Sequence, residues 1–85
     1  MLIVQKYGGA TLADPEKIKN VAERLYQMHE KSVQVVAVVS AMGKTTNQLI
    51  QLAQQVSSHP NRREMDMLLS TGERVSMALV SMALL

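Results

Sequence analysis

Three short stretches of this chain carry residues suited to phosphate and amino-acid chemistry. Lys6-Tyr7-Gly8-Gly9 follows directly on the apolar run Leu2-Ile3-Val4. Glycine has no Cβ, so a strand that runs into two glycines lets backbone N–H groups approach an anion closely. The lysine adds a mobile positive charge with three donors. Taken alone, the same residues also fit an ordinary turn at a strand end. Two later stretches, Val39-Ser40-Ala41-Met42-Gly43 and Ser70-Thr71-Gly72-Glu73, add hydroxyls, further glycines and a carboxylate. Ser40 stands where an apolar run stops, the end at which open α/β sheets bind ligands. It also reads as a simple turn residue.

The elements that must position these residues are legible from capping and periodicity. Leu2 to Lys6 reads as a short strand ended by Gly8-Gly9. Asp14 as N-cap, Pro15 at the first helical position and Glu16 in the first turn open a helix. Ile18, Val21, Ala22, Leu25 and Met28 then recur at helical spacing. Lys31-Ser32 closes it. Val33 to Val39 is nearly all apolar and β-branched, the pattern of a parallel strand covered on both faces. Strand, helix and strand together make a βαβ unit.

A second helix is expected from about Thr46 to Val56, with Thr45 and Gln48 as a capping box and Leu49, Leu52, Ala53 and Val56 as its buried stripe. After a loop with Pro60, Asn61 and Glu64 repeat the cap pattern ahead of a third helix. Its expected inner face is Met65, Leu68, Leu69, Gly72, Val75, Leu79 and Met82. Gly72 costs a helix interior roughly 1 kcal/mol against alanine. It marks a close backbone approach, a local break, or nothing.

Composition limits the classes. Eighty-five residues suit at most one small domain or part of a larger one. The apolar share of 47% is too high for a disordered chain. With no Phe or Trp, the seven methionines take part of the packing. There is no cysteine, which removes disulfides and thiolate chemistry and fits a cytoplasmic protein. Net charge is +2, and the one basic pair, Arg62-Arg63, reads as a solvated helix start, so no nucleic-acid partner is expected. No charged n-region precedes a long apolar stretch, so no secretory signal is expected. The apolar run Val75 to Leu85 is too short for a bilayer, which takes roughly 20 residues, so no membrane partner is expected. Because the run stops without a cap or polar tail, it suggests a larger domain cut short, with an apolar third helix exposed for self-association. His29 and His59 have no partner spacing and read as structural. The metal-ligand set is empty.

Gly43-Lys44-Thr45-Thr46 after a strand looks like the tail of a P-loop. That motif needs a glycine five places before Gly43, and Val38 stands there.

The stretch Lys6 to Gly9, then Val38-Val39-Ser40-Ala41-Met42-Gly43 with Thr45-Thr46-Asn47, then Arg63 to Glu73, is similar in order and spacing to aspartate kinases. The resemblance covers essentially all 85 residues, Ile18 to Arg24 included. It implies a partial three-layer αβα amino-acid kinase fold in which residues 1–85 form the N-terminal portion of the catalytic domain, without regulatory domains. The implied activity is transfer of a phosphoryl group from ATP to the side-chain carboxylate of L-aspartate, with Mg2+ in the intact enzyme, in the route to lysine, threonine and methionine. The nucleophile is already ionised near neutral pH, so the site needs positioning and charge neutralisation more than a base.

By the resemblance, Lys6 is the catalytic residue. Lys6, Tyr7, Gly8, Gly9 and Ser40 bind the ATP phosphates, and Thr46 and Glu73 hold aspartate. Thr46 also fits a helix-start hydroxyl, and Glu73 a surface glutamate. The family usually has Thr or Ser after the two glycines. Here Ala10 stands there and Thr11 follows, which moves a hydroxyl by one residue. Nothing in the 85 residues is expected to hold adenine. The alternative is a non-catalytic truncated product or isolated folding unit with no activity of its own.

Overall fold

The computed structural model describes residues 1–85. Strand β1 (Leu2–Tyr7) is followed by a short 3₁₀ turn (Ala10–Leu12) and helix α1 (Pro15–Glu30). Strand β2 (Gln34–Val39), helix α2 (Thr45–Val56) and helix α3 (Arg62–Leu84) complete the chain. The two strands pair in parallel, with Lys6 opposite Val38 and Tyr7 opposite Val39. Both therefore end on the same side of the fold, and the loops after Tyr7 and Val39 lie next to each other.

Local signals set most of these limits. The Asp14 carboxylate accepts the Lys17 N–H at 2.9 Å, and Pro15 follows at the first helical position. Asn61 accepts the Glu64 N–H at 3.2 Å and caps α3 in the same way. At the end of α1, Ser32 adopts φ 61. Its N–H reaches the His29 carbonyl and the Val33 N–H reaches that of Met28. That pair of bonds is a Schellman closure, with serine where glycine is usual.

The cap expected for α2 does not form. Lys44, at φ −93 and ψ 11, occupies the N-cap position, and no side chain caps the helix. Gly43 at φ 46 and the bond from Thr45 N–H to the Met42 carbonyl bring the chain into α2 as a tight turn. Thr45 is thus already inside the helix, where its hydroxyl is misplaced for a cap.

The core lies between one face of the sheet and helices α1 and α3. Tyr7, Leu12, Ile18, Val21, Leu25 and Val80 are buried together, with Val35, Val39, Met42 and Leu79 packed against them. Burial of each such aliphatic side chain stabilises by about 1.5–3 kcal/mol. The α1 stripe expected from periodicity is the buried one, with Met28 at its half-buried margin.

Three expectations about burial are corrected. The sheet is covered on one face only: Leu2, Val4, Val36 and Val38 stand 45–65% exposed on the other. Helix α2 packs mainly along α3, which leaves Leu52 and Val56 exposed and none of its residues fully buried. In α3 the buried residues are Gly72, Ser76 and Val80, while Val75 and Met82 face outward. The helix turns its small residues inward because it crosses close to its neighbours there. Ser76 tolerates full burial because its hydroxyl donates to the Gly72 carbonyl at 3.4 Å. Helix α3 runs unbroken through Gly72.

The radius of gyration is 15.0 Å, against about 12 Å for a compact chain of this length. The arrangement is therefore an open, partial α/β fold rather than a closed globule. No helix is long and apolar enough to cross a membrane.

Candidate active site

The loops at the shared end of β1 and β2 meet the middle of α3 around an open cleft of about 530 Å³. Its walls are Lys6, Tyr7 and Gly8 from the first strand, Val38, Val39 and Ser40 from the second, and Glu73 from α3. Five residues singled out from sequence, Lys6, Tyr7, Gly8, Ser40 and Glu73, thus come together in one place.

Each arrives there for a local reason. Lys6 lies on the open face of β1, since alternate residues of a strand point to opposite sides, and Tyr7 lies on the covered face. The Tyr7 ring is 5% exposed, and its hydroxyl donates to Gln5 Oε1 at 2.6 Å. The ring therefore belongs to the core, which leaves the Tyr7 backbone for the cleft. Ser40 continues the strand pairing, with its N–H on the Tyr7 carbonyl at 3.1 Å, and its hydroxyl donates to the Ala41 carbonyl at 3.2 Å.

The two glycines of the first loop differ. A Cβ built on Gly9 would stand 3.0 Å from the Gly43 carbonyl oxygen and 3.2 Å from that of Ala41. Gly9 is thus required by packing, and its carbonyl accepts the Gly43 N–H at 2.9 Å. A Cβ built on Gly8 would meet nothing within 4 Å. Protein packing makes no demand for glycine there. The cleft side of Gly8 is simply bare backbone, the condition for close approach of a ligand.

Thr46 does not line this cleft. It is exposed in the first turn of α2. The displaced hydroxyl of Thr11 faces a separate depression, of about 360 Å³, beside Lys17, Asn20 and Arg24 of α1. There the Lys17 ammonium donates to the Ala10 carbonyl at 3.2 Å and ties the 3₁₀ turn to the helix.

Sequence reasoning passed over Val38 and Val39 as cleft walls, although their place at a strand's C-terminal end was the available signal. It named Ala41 only as part of a motif. Ala41 is 4% exposed and packs against Gly72 of α3. Chemically, the cleft offers one cation and one anion, a bare glycine backbone and a hydroxyl. That set suits a zwitterion next to a phosphate group. No group of three or more His, Cys, Asp or Glu side chains is placed to hold a metal ion.

Comparison with known proteins gives a consistent picture. The sequence profile of the amino acid kinase family matches residues 1–85. The chain is 57% identical over 83 residues to the aspartokinase of Geobacillus stearothermophilus and 58% identical to that of Mycolicibacterium smegmatis. In both cases the match covers 98% of this chain and 20% of the relative. The chain therefore spans about a fifth of the length of these curated relatives. A crystal structure of aspartate kinase from Synechocystis superposes with a TM-score of 0.96 at 56% identity, over 99% of this chain and 14% of that one.

Proposed function

The chain belongs to the amino acid kinase family, and from that premise we propose that residues 1–85 are the N-terminal portion of an ATP-dependent aspartate kinase catalytic domain. The activity is phosphorylation of the side-chain carboxylate of L-aspartate to 4-phospho-L-aspartate, a step towards lysine, threonine and methionine. The observation that carries this reading is the presence of Lys6 and Glu73 in the lining of one cleft.

In this reading the Lys6 ammonium neutralises charge on the transferring phosphoryl group, where negative charge peaks in the transition state. The Gly8 and Gly9 backbone carries the neighbouring phosphate oxygens, and the Ser40 hydroxyl adds a donor when it turns from the Ala41 carbonyl to the phosphate. Glu73 pairs with the ammonium of aspartate. Thr46, in the first turn of the neighbouring helix, donates its hydroxyl to a carboxylate oxygen of aspartate once ATP and aspartate are bound. The attacking carboxylate needs no base, so the protein's work is orientation and charge compensation.

Magnesium accompanies the nucleotide phosphates, as it does where a site offers few carboxylates of its own. Glu73 is the one carboxylate of the cleft and is committed to the substrate ammonium, so no residue of the chain is assigned to the metal.

The test is aspartyl phosphate formation, trapped as the hydroxamate, by an aspartokinase of full family length that carries residues 1–85. ATP- and aspartate-dependent hydroxamate supports the reading. A folded protein that forms none removes it and favours a non-catalytic unit.

A further inference from the structure

Three residues without bulky side chains pack together next to residues of the cleft. Gly9 lies against the Ala41 and Gly43 carbonyl oxygens, where its built Cβ would stand at 3.2 and 3.0 Å. On the far side of the same loop, a Cβ built on Gly72 would stand 2.8 Å from the Ala41 Cβ and 3.3 Å from Thr45 Cγ2. Ala41 is held between the two. Gly72 itself is helical and buried, so only the close approach demands glycine there.

Each member of the stack is the chain neighbour of a cleft residue. Gly9 follows Gly8, Ala41 follows Ser40, and Gly72 precedes Glu73. The separation between β1, the β2 loop and α3 at this level is thus the thickness of two glycines and one methyl group. Interiors are close-packed, and a buried contact of 2.8 Å is relieved only by movement of an element.

We infer that the Gly9–Ala41–Gly72 stack fixes the width of the cleft, and that Gly72 is a positioning residue for recognition of the substrate ammonium by Glu73. The inference rests on the aspartate kinase reading above. A methyl group on Gly72 pushes α3 away from the Ala41 loop and carries Glu73 with it. Ammonium pairing is made in the ground state and in the transition state alike, so its loss raises KM and spares kcat.

The experiment uses the same full-length kinase carrying residues 1–85. Gly72→Ala is expected to raise the KM for aspartate about tenfold, as a displacement well under 1 Å at a positioning contact would. Its kcat and its KM for ATP should stay within about twofold of wild type. Adding Ala41→Gly removes the opposing methyl group, and the double variant should recover the wild-type aspartate KM. A folded Gly72→Ala protein with a lower melting temperature and an unchanged aspartate KM overturns the inference. So does a folded double variant whose aspartate KM stays about tenfold above wild type, and this arm remains informative if Gly72→Ala alone does not fold.

A crystal structure of the double variant and of Gly72→Ala separates the two levels of the argument. Glu73 should be displaced from Lys6 in the single variant and restored in the double. An unmoved Glu73 overturns the stack whatever the cleft binds. Absence of aspartate-dependent turnover in the folded wild-type protein instead removes the kinase reading.

Discussion

Lys6 at the end of β1 and Glu73 in the middle of α3 line the same cleft, a cation and an anion brought together from opposite ends of the chain. Their opposite charges give them separable roles. In the proposed function, Lys6 would compensate charge that grows during the reaction, and Glu73 would hold charge already present on the substrate.

Lys6→Ala is expected to lower kcat of the full-length kinase by about 100- to 1,000-fold, the usual loss when one preorganised transition-state partner is removed. The KM for aspartate should change little. Steady-state hydroxamate kinetics measure both. Unchanged turnover would remove Lys6 from the mechanism.

Glu73→Gln keeps the size of the side chain and deletes its charge. Loss of one partner of a partly shielded ion pair costs roughly 2–5 kcal/mol, so the aspartate KM should rise by about 30-fold or more. The KM for ATP should be nearly unchanged. An unaltered aspartate KM would make Glu73 a structural helix residue.

The capping geometry predicts an asymmetry between two similar substitutions. Asp14→Ala removes an acceptor for the Lys17 N–H and should destabilise the fold by about 1 kcal/mol. Thr45 caps nothing, so Thr45→Ala should lose no cap stability. Equal losses in melting temperature would contradict the cap assignments.

Backbone conformation predicts effects of opposite sign at two loops. Ser32 at φ 61 carries a side chain in the left-handed region, so Ser32→Gly should stabilise by up to about 1 kcal/mol. Gly43 at φ 46 needs its glycine, and Gly43→Ala should destabilise by about 1–2 kcal/mol. Denaturant titration of the two variants decides the signs.

The uncovered face of the sheet predicts how the 85-residue polypeptide behaves alone. Val36 and Val38 are 48% and 45% exposed beside Leu2 and Val4, an apolar patch of the kind that binds dyes or other chains. The polypeptide should bind a hydrophobic dye, associate on concentration, and form no aspartyl hydroxamate. The double substitution Val36→Thr, Val38→Thr should weaken dye binding. A monomer that excludes the dye would contradict the exposure.

What the sequence determined alone is what a single turn of chain can decide. The Asp14 and Asn61 carboxyl and amide groups reach N–H groups three residues away, so their types and spacing were sufficient to start α1 and α3. The apolar stripe from Ile18 to Leu25 meets its burial for the same reason, because α1 lies directly on the sheet it follows. The end of β1 and the end of β2 were likewise legible, and parallel pairing brought Gly8 and Ser40 together.

The tertiary structure decided whatever depends on distant partners. Val56 and Leu52 have the periodicity of a buried stripe, yet α2 packs mainly against α3 and both stay exposed. Ser76 and Val80 lie inward in place of Val75 and Met82 because a helix rotates to put its smallest residues at a close crossing. Gly72 kept three readings open in the sequence. The nearness of the Ala41 methyl group settles it as a close approach, and that distance belongs to two elements that no local pattern relates.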